Sequence, residues 1–299
     1  MKSNKFSLLA LAALSAVCGI SQAQGLDGTL KKIKDTNTIT IGNRESSIPF
    51  SYLDAKQKPV GYSMDLCNKI VEAVKTELKL PKLEVKYVPV TSQNRLPLIE
   101  GGTVDLECGS TTNTVDRQKQ VAFGLTTFVA NVRTLVKTNS GIKDIDSLDG
   151  KPVVTTQGTT SDSLIKAHEK GAKINVKNLY GKDHADSFLM VKTDRASAFV
   201  MDDILLAGFI ANSENPKDYS IVGSTLRQEP YSVVFRKDDT GFKTLVDKTL
   251  LGLMKSGEIN KIYAKWFTST IAPKNINLNF PMSKELKAAI ANPNDKGVK

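Results

Sequence analysis

The sequence is poor in the features that mark several common chemistries. Aromatic residues make up 6% of it, with a single Trp. Its Lys and Arg residues are scattered rather than interleaved with rings, which argues against a nucleic-acid surface. It has two His and three Cys, with no Cys/His spacing of the kind that holds zinc. No Gly-rich phosphate loop and no Gly-x-Ser-x-Gly nucleophile elbow occurs. Past the N-terminus, no apolar run is long enough to span a bilayer. We therefore expect no cofactor, no metal and no catalytic residue.

What the chain does have begins with a leader. Lys2 and Lys5 precede an apolar run, Phe6 to Ile20, broken only by Ser7, Ser15 and Gly19. Ser21-Gln22-Ala23 then supplies small residues where a signal peptidase reads them. Cys18 would suit a lipoprotein, but Val17 stands where that processing wants a small residue. Cleavage after Ala23 and a periplasmic location are expected. The formal charge of +10 falls to +8 without the two leader lysines, a basic balance that suits an anionic ligand. Cys67 and Cys108 remain. They either pair in an oxidising compartment or act as small hydrophobes on a helix face and in a buried strand.

From residue 38 to about 265 the apolar pattern switches repeatedly between periods of two and of 3.6. Strands are expected at 38–42, 83–90 and 104–108, with helices at 64–78 and 95–100 between them. This β-α-β-α-β pattern implies a parallel sheet with helices on both faces. It restarts with strands at 152–155, 173–179, 196–201 and 219–222, and helices at 161–170, 186–193 and from 203. A strand at 231–235 and helices at 247–255 and 258–267 have no sheet of their own and return to the first unit. The expected organisation is a signal peptide at 1–23, a first lobe at 24–133 and 227–265, and a second lobe at 134–226. An extension, 266–299, packs on the lobes. Two crossings, near 130–137 and 225–231, join an α/β, two-lobed fold with a cleft.

Ligands in such sheets bind beyond the carboxyl ends of the strands. Arg44 follows the first strand, Ser92 and Arg95 the second, and Ser110, Thr112 and Arg117 the third. Asn113 or Thr114 is placed to cap a helix carrying Arg117 in its first turns. In the other lobe, Gly158-Thr159-Thr160 opens a helix, Asp183-His184 precedes another, and Asp202 ends a strand. Each alone has an ordinary reading: a surface Arg, a capped helix, a packed His. Three guanidiniums at three successive strand ends repel one another unless anions fill the space between them. Three cations against the one anion Asp202 match a guest with two carboxylates and one amine, which is an acidic amino acid.

The segments Gly42 to Ser51, Thr91 to Arg95, Glu107 to Asn113, Gly158 to Ser161, Lys182 to His184 and Met201 to Asp203 together resemble the periplasmic solute-binding proteins of polar amino-acid ABC transporters (solute-binding protein family 3). The resemblance covers essentially the whole chain after the leader. It implies the class II periplasmic-binding fold, L-glutamate or L-aspartate as ligand, a membrane ABC permease as partner, no nucleic acid and a monomer. It further implies that Arg117, Ser110 and Thr112 hold the α-carboxylate and that Asp202 takes the α-ammonium. Arg44, Arg95, Ser92 and His184 would take the side-chain carboxylate, and Thr160 would reach over from the second lobe. Asn43 stands where a close relative would have His. The rival functions are an exported dehydratase on the same fold, with Glu45 and His184 as the only candidate acid or base, and a binder of neutral amino acids.

Overall fold

The computed structural model describes residues 26–273 and 275–299. The leader and its cleavage after Ala23 lie outside the described residues. In chain order the first half contains α1 (Gly28–Thr36), β1 (Thr38–Asn43), β2 (Ser46–Ser47), β3 (Ser51–Leu53), β4 (Pro59–Val60), α2 (Tyr62–Leu78), β5 (Glu84–Pro89), α3 (Arg95–Glu100), β6 (Leu106–Glu107), β7 (Val121–Phe123) and β8 (Phe128–Lys137). Then come β9 (Pro152–Thr156), α4 (Thr160–Ala172), β10 (Lys177–Gly181), α5 (His184–Lys192), β11 (Ala198–Asp202), α6 (Asp203–Asn212), β12 (Tyr219–Val222), β13 (Gln228–Tyr231), β14 (Val234–Arg236), α7 (Thr240–Lys255), α8 (Glu258–Tyr263), β15 (Thr270–Ile271), β16 (Ile276–Asn277) and α9 (Lys284–Ala291).

Two sheets organise these elements. The first runs β5-β1-β6-β14-β7, the second β10-β9-β11-β8-β12 with β13 alongside β8. β1 pairs in parallel with both β5 and β6, whereas β14 returns antiparallel to β6. The returning segment is not one strand over 231–235: it breaks at Ser232-Val233, because β13 belongs to the second sheet's β8 and β14 to the first sheet. The expected strand at 104–108 shrinks to Leu106–Glu107. Before it, the Asp105 N–H still bonds to the Thr40 carbonyl, while its side chain takes the Thr40 N–H and Lys32.

The largest departure from the sequence pattern is β8. Its ten residues alternate buried and half-buried up to Leu135, but Asn131 and Arg133 break the apolar signal. β8 pairs with β11, β12 and β13, and the register Tyr231↔Phe128 sets the two crossings side by side. Each crossing plants a ring in one aromatic cluster. Phe128 and Tyr231 lie 5.9 Å apart, and Phe50 lies 4.9 Å from the first and 5.2 Å from the second. Phe267 stacks on Phe128 at 5.1 Å and on Tyr263 at 4.3 Å. The Tyr62 hydroxyl donates to the Thr127 carbonyl at 2.9 Å. Helices forming this core obey simple rules: α2 buries Leu66, Ile70, Val74 and Leu78 on one face, and ends on Lys79 in a left-handed conformation whose N–H caps the last carbonyls.

The sequence left two states open for Cys67 and Cys108; the structure has them bonded, joining α2 to the residue after β6 across a separation of 41 residues. A closed loop of that size restricts the unfolded chain by about 4 kcal/mol. Reductant is expected to lower the urea midpoint of the native protein by that amount of stability. The double variant Cys67→Ser/Cys108→Ser is expected to unfold at the same urea concentration with and without it.

Candidate functional site

The first sheet presents its strand ends to the second. β1 ends at Asn43, and the next residue, Arg44, is fixed by its N–H donating to Ser51 Oγ at 2.8 Å. After β5, Thr91 and Asn94 bond reciprocally, each backbone N–H to the other's side chain at 2.7 and 3.1 Å. That turn carries Ser92 at its tip and delivers Arg95 as the first residue of α3. After β6, the loop through Ser110 and Thr112 is held by Asn113 N–H on the Pro230 carbonyl and by a bridge between Thr112 and Tyr231. Arg117 does not open an α-helix. It begins one 3-10 turn, Arg117–Lys119, because β7 starts at Val121 and leaves no length for more. Thr114 does accept the Arg117 N–H, at 3.1 Å, while the Asn113 amide donates away from the site to the Asp295 carbonyl.

The second lobe supplies the opposite wall. Thr160 is the first residue of α4. His184 is the first of α5, two residues earlier than the periodicity predicts, because Asp183 caps that helix by accepting from Asp186 N–H at 2.9 Å. Asp202 ends β11. The lobes touch. Arg117 donates to the Thr112 carbonyl at 2.9 Å and, across the cleft, to the Gly158 carbonyl at 3.0 Å. Arg44 Nη2 and His184 Nε2 are 3.4 Å apart, and His184 Nδ1 lies 3.0 Å from Thr156 Oγ1.

All nine residues singled out in the sequence line this gap, and five of them carry buried polar atoms with no protein partner: Arg44 Nη1, Ser92 Oγ, Arg95 Nε, Ser110 Oγ and Asp202 Oδ1. Arg44 and Arg95 are 1% and 2% exposed, where an unpaired guanidinium is costly. The charges feel one another. Burial, and then Arg95, push Arg44 and Arg117 down to about 9, and burial lowers Arg95 too. All three remain cationic at neutral pH. Burial, Arg44 and Arg95 together hold His184 well below its usual range. Burial and Glu229 push Asp202 well above the carboxylate range, with Tyr231 and Arg117 partly opposing.

Three residues of the site were missed in the sequence. Glu107 is fully buried; its Oε2 accepts from Thr111 at 2.7 Å and its charge partly offsets burial of all three arginines. Glu229, also fully buried, accepts from Arg227 Nη2 at 2.6 Å, from Thr160 at 2.8 Å and from Thr112. Tyr231 turns an unpartnered hydroxyl toward Asp202. The expected balance of three cations against one anion is therefore corrected: two further carboxylates stand among the guanidiniums. The signals were faint. Glu107 sits inside an apolar strand, and Arg227-x-Glu229 is a same-face strand pair hidden in a crossing.

The electrostatics nonetheless divide the gap into two ends. Asp202 and Glu229 act on Arg95 and Arg117, but neither figures among the charges that act most on Arg44. Arg44 and His184, 3.4 Å apart, mark the cationic end, Asp202 with Tyr231 the anionic one, and Arg95 feels both.

The family model for bacterial extracellular solute-binding proteins, family 3, matches residues 39–269. The L-glutamate/L-aspartate-binding protein of Pseudomonas aeruginosa is 52% identical over 97% of both chains. The glutamate/aspartate import solute-binding protein of Escherichia coli K12 is 48% identical, again over 97% of both. Among solved structures, an ancestral arginine-binding protein bound to arginine superposes with a TM-score of 0.69 at 30% identity, covering 77% of this chain and 98% of that one. A substrate-binding protein from Streptococcus pneumoniae with bound histidine shares the fold with a TM-score of 0.71 at 21% identity, covering 79% and 95%.

Two outcomes are expected. Below pH 6.5 the unfolded chain protonates His184 while the folded one does not, so ligand-free stability falls as pH drops, by up to about 1.4 kcal/mol per unit. His184→Gln flattens that part of the profile in urea titrations run between pH 7 and pH 5. Gly158 has φ +76°, and a Cβ there would stand 2.6 Å from the Gln93 Cα and the Ser92 carbonyl. Neither backbone atom can yield, so Gly158→Ala is expected to hold the lobes apart, which small-angle scattering reads as a larger radius of gyration.

Proposed function

The chain belongs to the bacterial extracellular solute-binding proteins of family 3, and from that premise we propose that it captures an acidic amino acid, L-glutamate or L-aspartate, between two closing lobes and delivers it to an ABC permease. The observation that carries the ligand class is the cationic end of the gap: Arg44 and Arg95, buried side by side, each with a nitrogen that no protein atom engages. A distal carboxylate placed there accepts charge-assisted bonds from both. Arg117 and Ser110 take the α-carboxylate, with Thr112 beside them through its backbone N–H, since its hydroxyl already donates to Glu229. Asp202 takes the α-ammonium. Ser92 and His184 complete the distal pocket and Thr160 closes from the second lobe. The lobes in this reading are 24–133 with 227–265, and 134–226, with 266–299 packed over them. The protein acts in the periplasm as a monomer, its leader cleaved after Ala23.

Closure follows from the division of donors. Arg44, Arg95 and Arg117 stand on one lobe, His184, Thr160 and Asp202 on the other, so only the closed form offers the whole set. A guest shifts the open–closed balance by its extra contacts in the closed form and by nothing else. Micromolar affinity needs about 8 kcal/mol net, within reach of several desolvated charge-assisted bonds. We infer that the site does no catalysis. Glu45 is exposed, and His184 is buried among cations that oppose its protonation, which leaves the dehydratase reading without an acid.

Arg44→Ala and Arg95→Ala are each expected to weaken glutamate binding by about 2–5 kcal/mol, as for truncating a buried charge partner, with far less effect on any neutral amino acid. Arg117→Ala is expected to abolish binding of every amino acid. Isothermal calorimetry checks both; equal losses for acidic and neutral ligands would remove the basis of the assignment. A thermal-shift screen of the twenty amino acids should rank glutamate and aspartate first, and incubation with prephenate-like substrates should give no turnover.

A further inference from the structure

The hydrogen-bond directions around Glu229 fix what two threonines can offer a guest. Glu229 Oε1 accepts from Arg227 Nη2 at 2.6 Å and Nε at 3.2 Å, and Arg227 Nη1 is itself held by the Lys299 carbonyl at 2.8 Å. Glu229 Oε2 accepts from Thr160 Oγ1 at 2.8 Å and from Thr112 Oγ1. A hydroxyl has one proton and two lone pairs. An ionised carboxylate only accepts, so both hydroxyl protons are committed to Glu229, and what Thr112 and Thr160 present to the gap is lone pairs alone. Thr112 comes from the first lobe and Thr160 from the second, whereas Glu229 lies on β13, in the crossing between them. On closing, its carboxylate imposes the same polarity on one hydroxyl from each wall.

We propose that Glu229 is a positioning residue that makes the site selective for an amine-bearing acid over the same acid without its amine. Acting through Thr112 and Thr160, it turns two hydroxyls into acceptors on the side of the gap that holds Asp202, so the α-ammonium meets two hydroxyl oxygens whose protons point away from it. A deaminated dicarboxylate, which has no N–H to give, leaves those acceptors unsatisfied against its own oxygens. Leaving buried groups unpaired is the most effective way for a site to reject an analogue. Arg227, the residue before β13, grips one oxygen of Glu229 through Nη2 and Nε and so aims the other at the two threonines. The inference rests on the reading of the gap as an amino-acid site and goes beyond it by assigning the amine selectivity to a residue that touches no ligand.

The test is the ratio of dissociation constants for glutamate and glutarate, measured by calorimetry in the full chain. The native protein is expected to favour glutamate strongly. In Glu229→Gln the side-chain amide donates to the hydroxyls and frees their protons toward the guest. Glutamate is then expected to bind at least about tenfold more weakly while glutarate holds or tightens, the scale of a lost buried hydrogen bond. Glu229→Asp keeps the charge but withdraws it by one methylene; the ratio should fall here too if hydrogen-bond direction governs it, and should match the native value if only charge matters. Parallel changes for both ligands in Glu229→Gln, or a native-like ratio in Glu229→Asp, would overturn the proposal. If the native protein binds neither ligand but does bind another amino acid, the acidic assignment fails, and that amino acid against its deaminated counterpart still tests Glu229.

Discussion

Like charge buried in a small volume is the constraint around which this molecule is arranged. Arg44, Arg95 and Arg117 lie close enough for Arg95 to depress the other two, and two of the three are almost wholly withdrawn from water. Such a cluster would destabilise the strand ends that carry it if nothing answered it. Glu107 answers from beneath, Glu229 from the crossing, and the Thr112 and Gly158 carbonyls hold Arg117. The compensation is incomplete: Arg44 Nη1 and Arg95 Nε keep no protein partner. Under the function proposed above, a carboxylate guest would answer this imbalance, and recognition and closure would share one electrostatic origin.

The rigid parts of the site and its moving parts are assigned to different kinds of interaction. Donors of the first lobe stand on short turns pinned by local bonds, such as the Thr91–Asn94 pair, and on a loop that begins beside the Cys67–Cys108 bond. Little ordering entropy is then left for ligand binding to supply. Hydrogen bonds between the two walls include Arg117 to Gly158, Thr160 to Glu229 and Arg44 to His184, beside close packing of Gly158 on the Ser92–Gln93 backbone. Water replaces each of these bonds readily, which keeps opening accessible.

Legibility in the sequence tracked how local the signal was. Helix α3 and strand β12 stand where periodicity placed them, and the nine residues proposed for the site come together because strand ends are short, polar and recognisable. β8 was expected only as a crossing near 130–137, because its place between β11 and β12 in the second sheet is a matter of pairing that its alternating pattern does not carry. The strand expected at 231–235 split because its two halves serve different sheets, a fact of topology that no local pattern carries. Glu107 and Glu229 escaped for a related reason: a carboxylate in a strand reads as an edge or a solvent face until its arginine, brought in from elsewhere, is known. Glu229 has Arg227 two residues away, but Thr112 and Thr160 are 117 and 69 positions distant.

The aromatic cluster under the two crossings has a mechanical meaning. Because Phe128 and Tyr231, one from each crossing, are wedged against the same ring of Phe50, the connecting strands cannot slide past each other or bend independently. A change of angle between the proposed lobes would then move both connecting strands together, and that angle would carry the report of occupancy. A membrane partner touching the outer surfaces of both lobes need only gauge that angle, without ever sensing the guest itself.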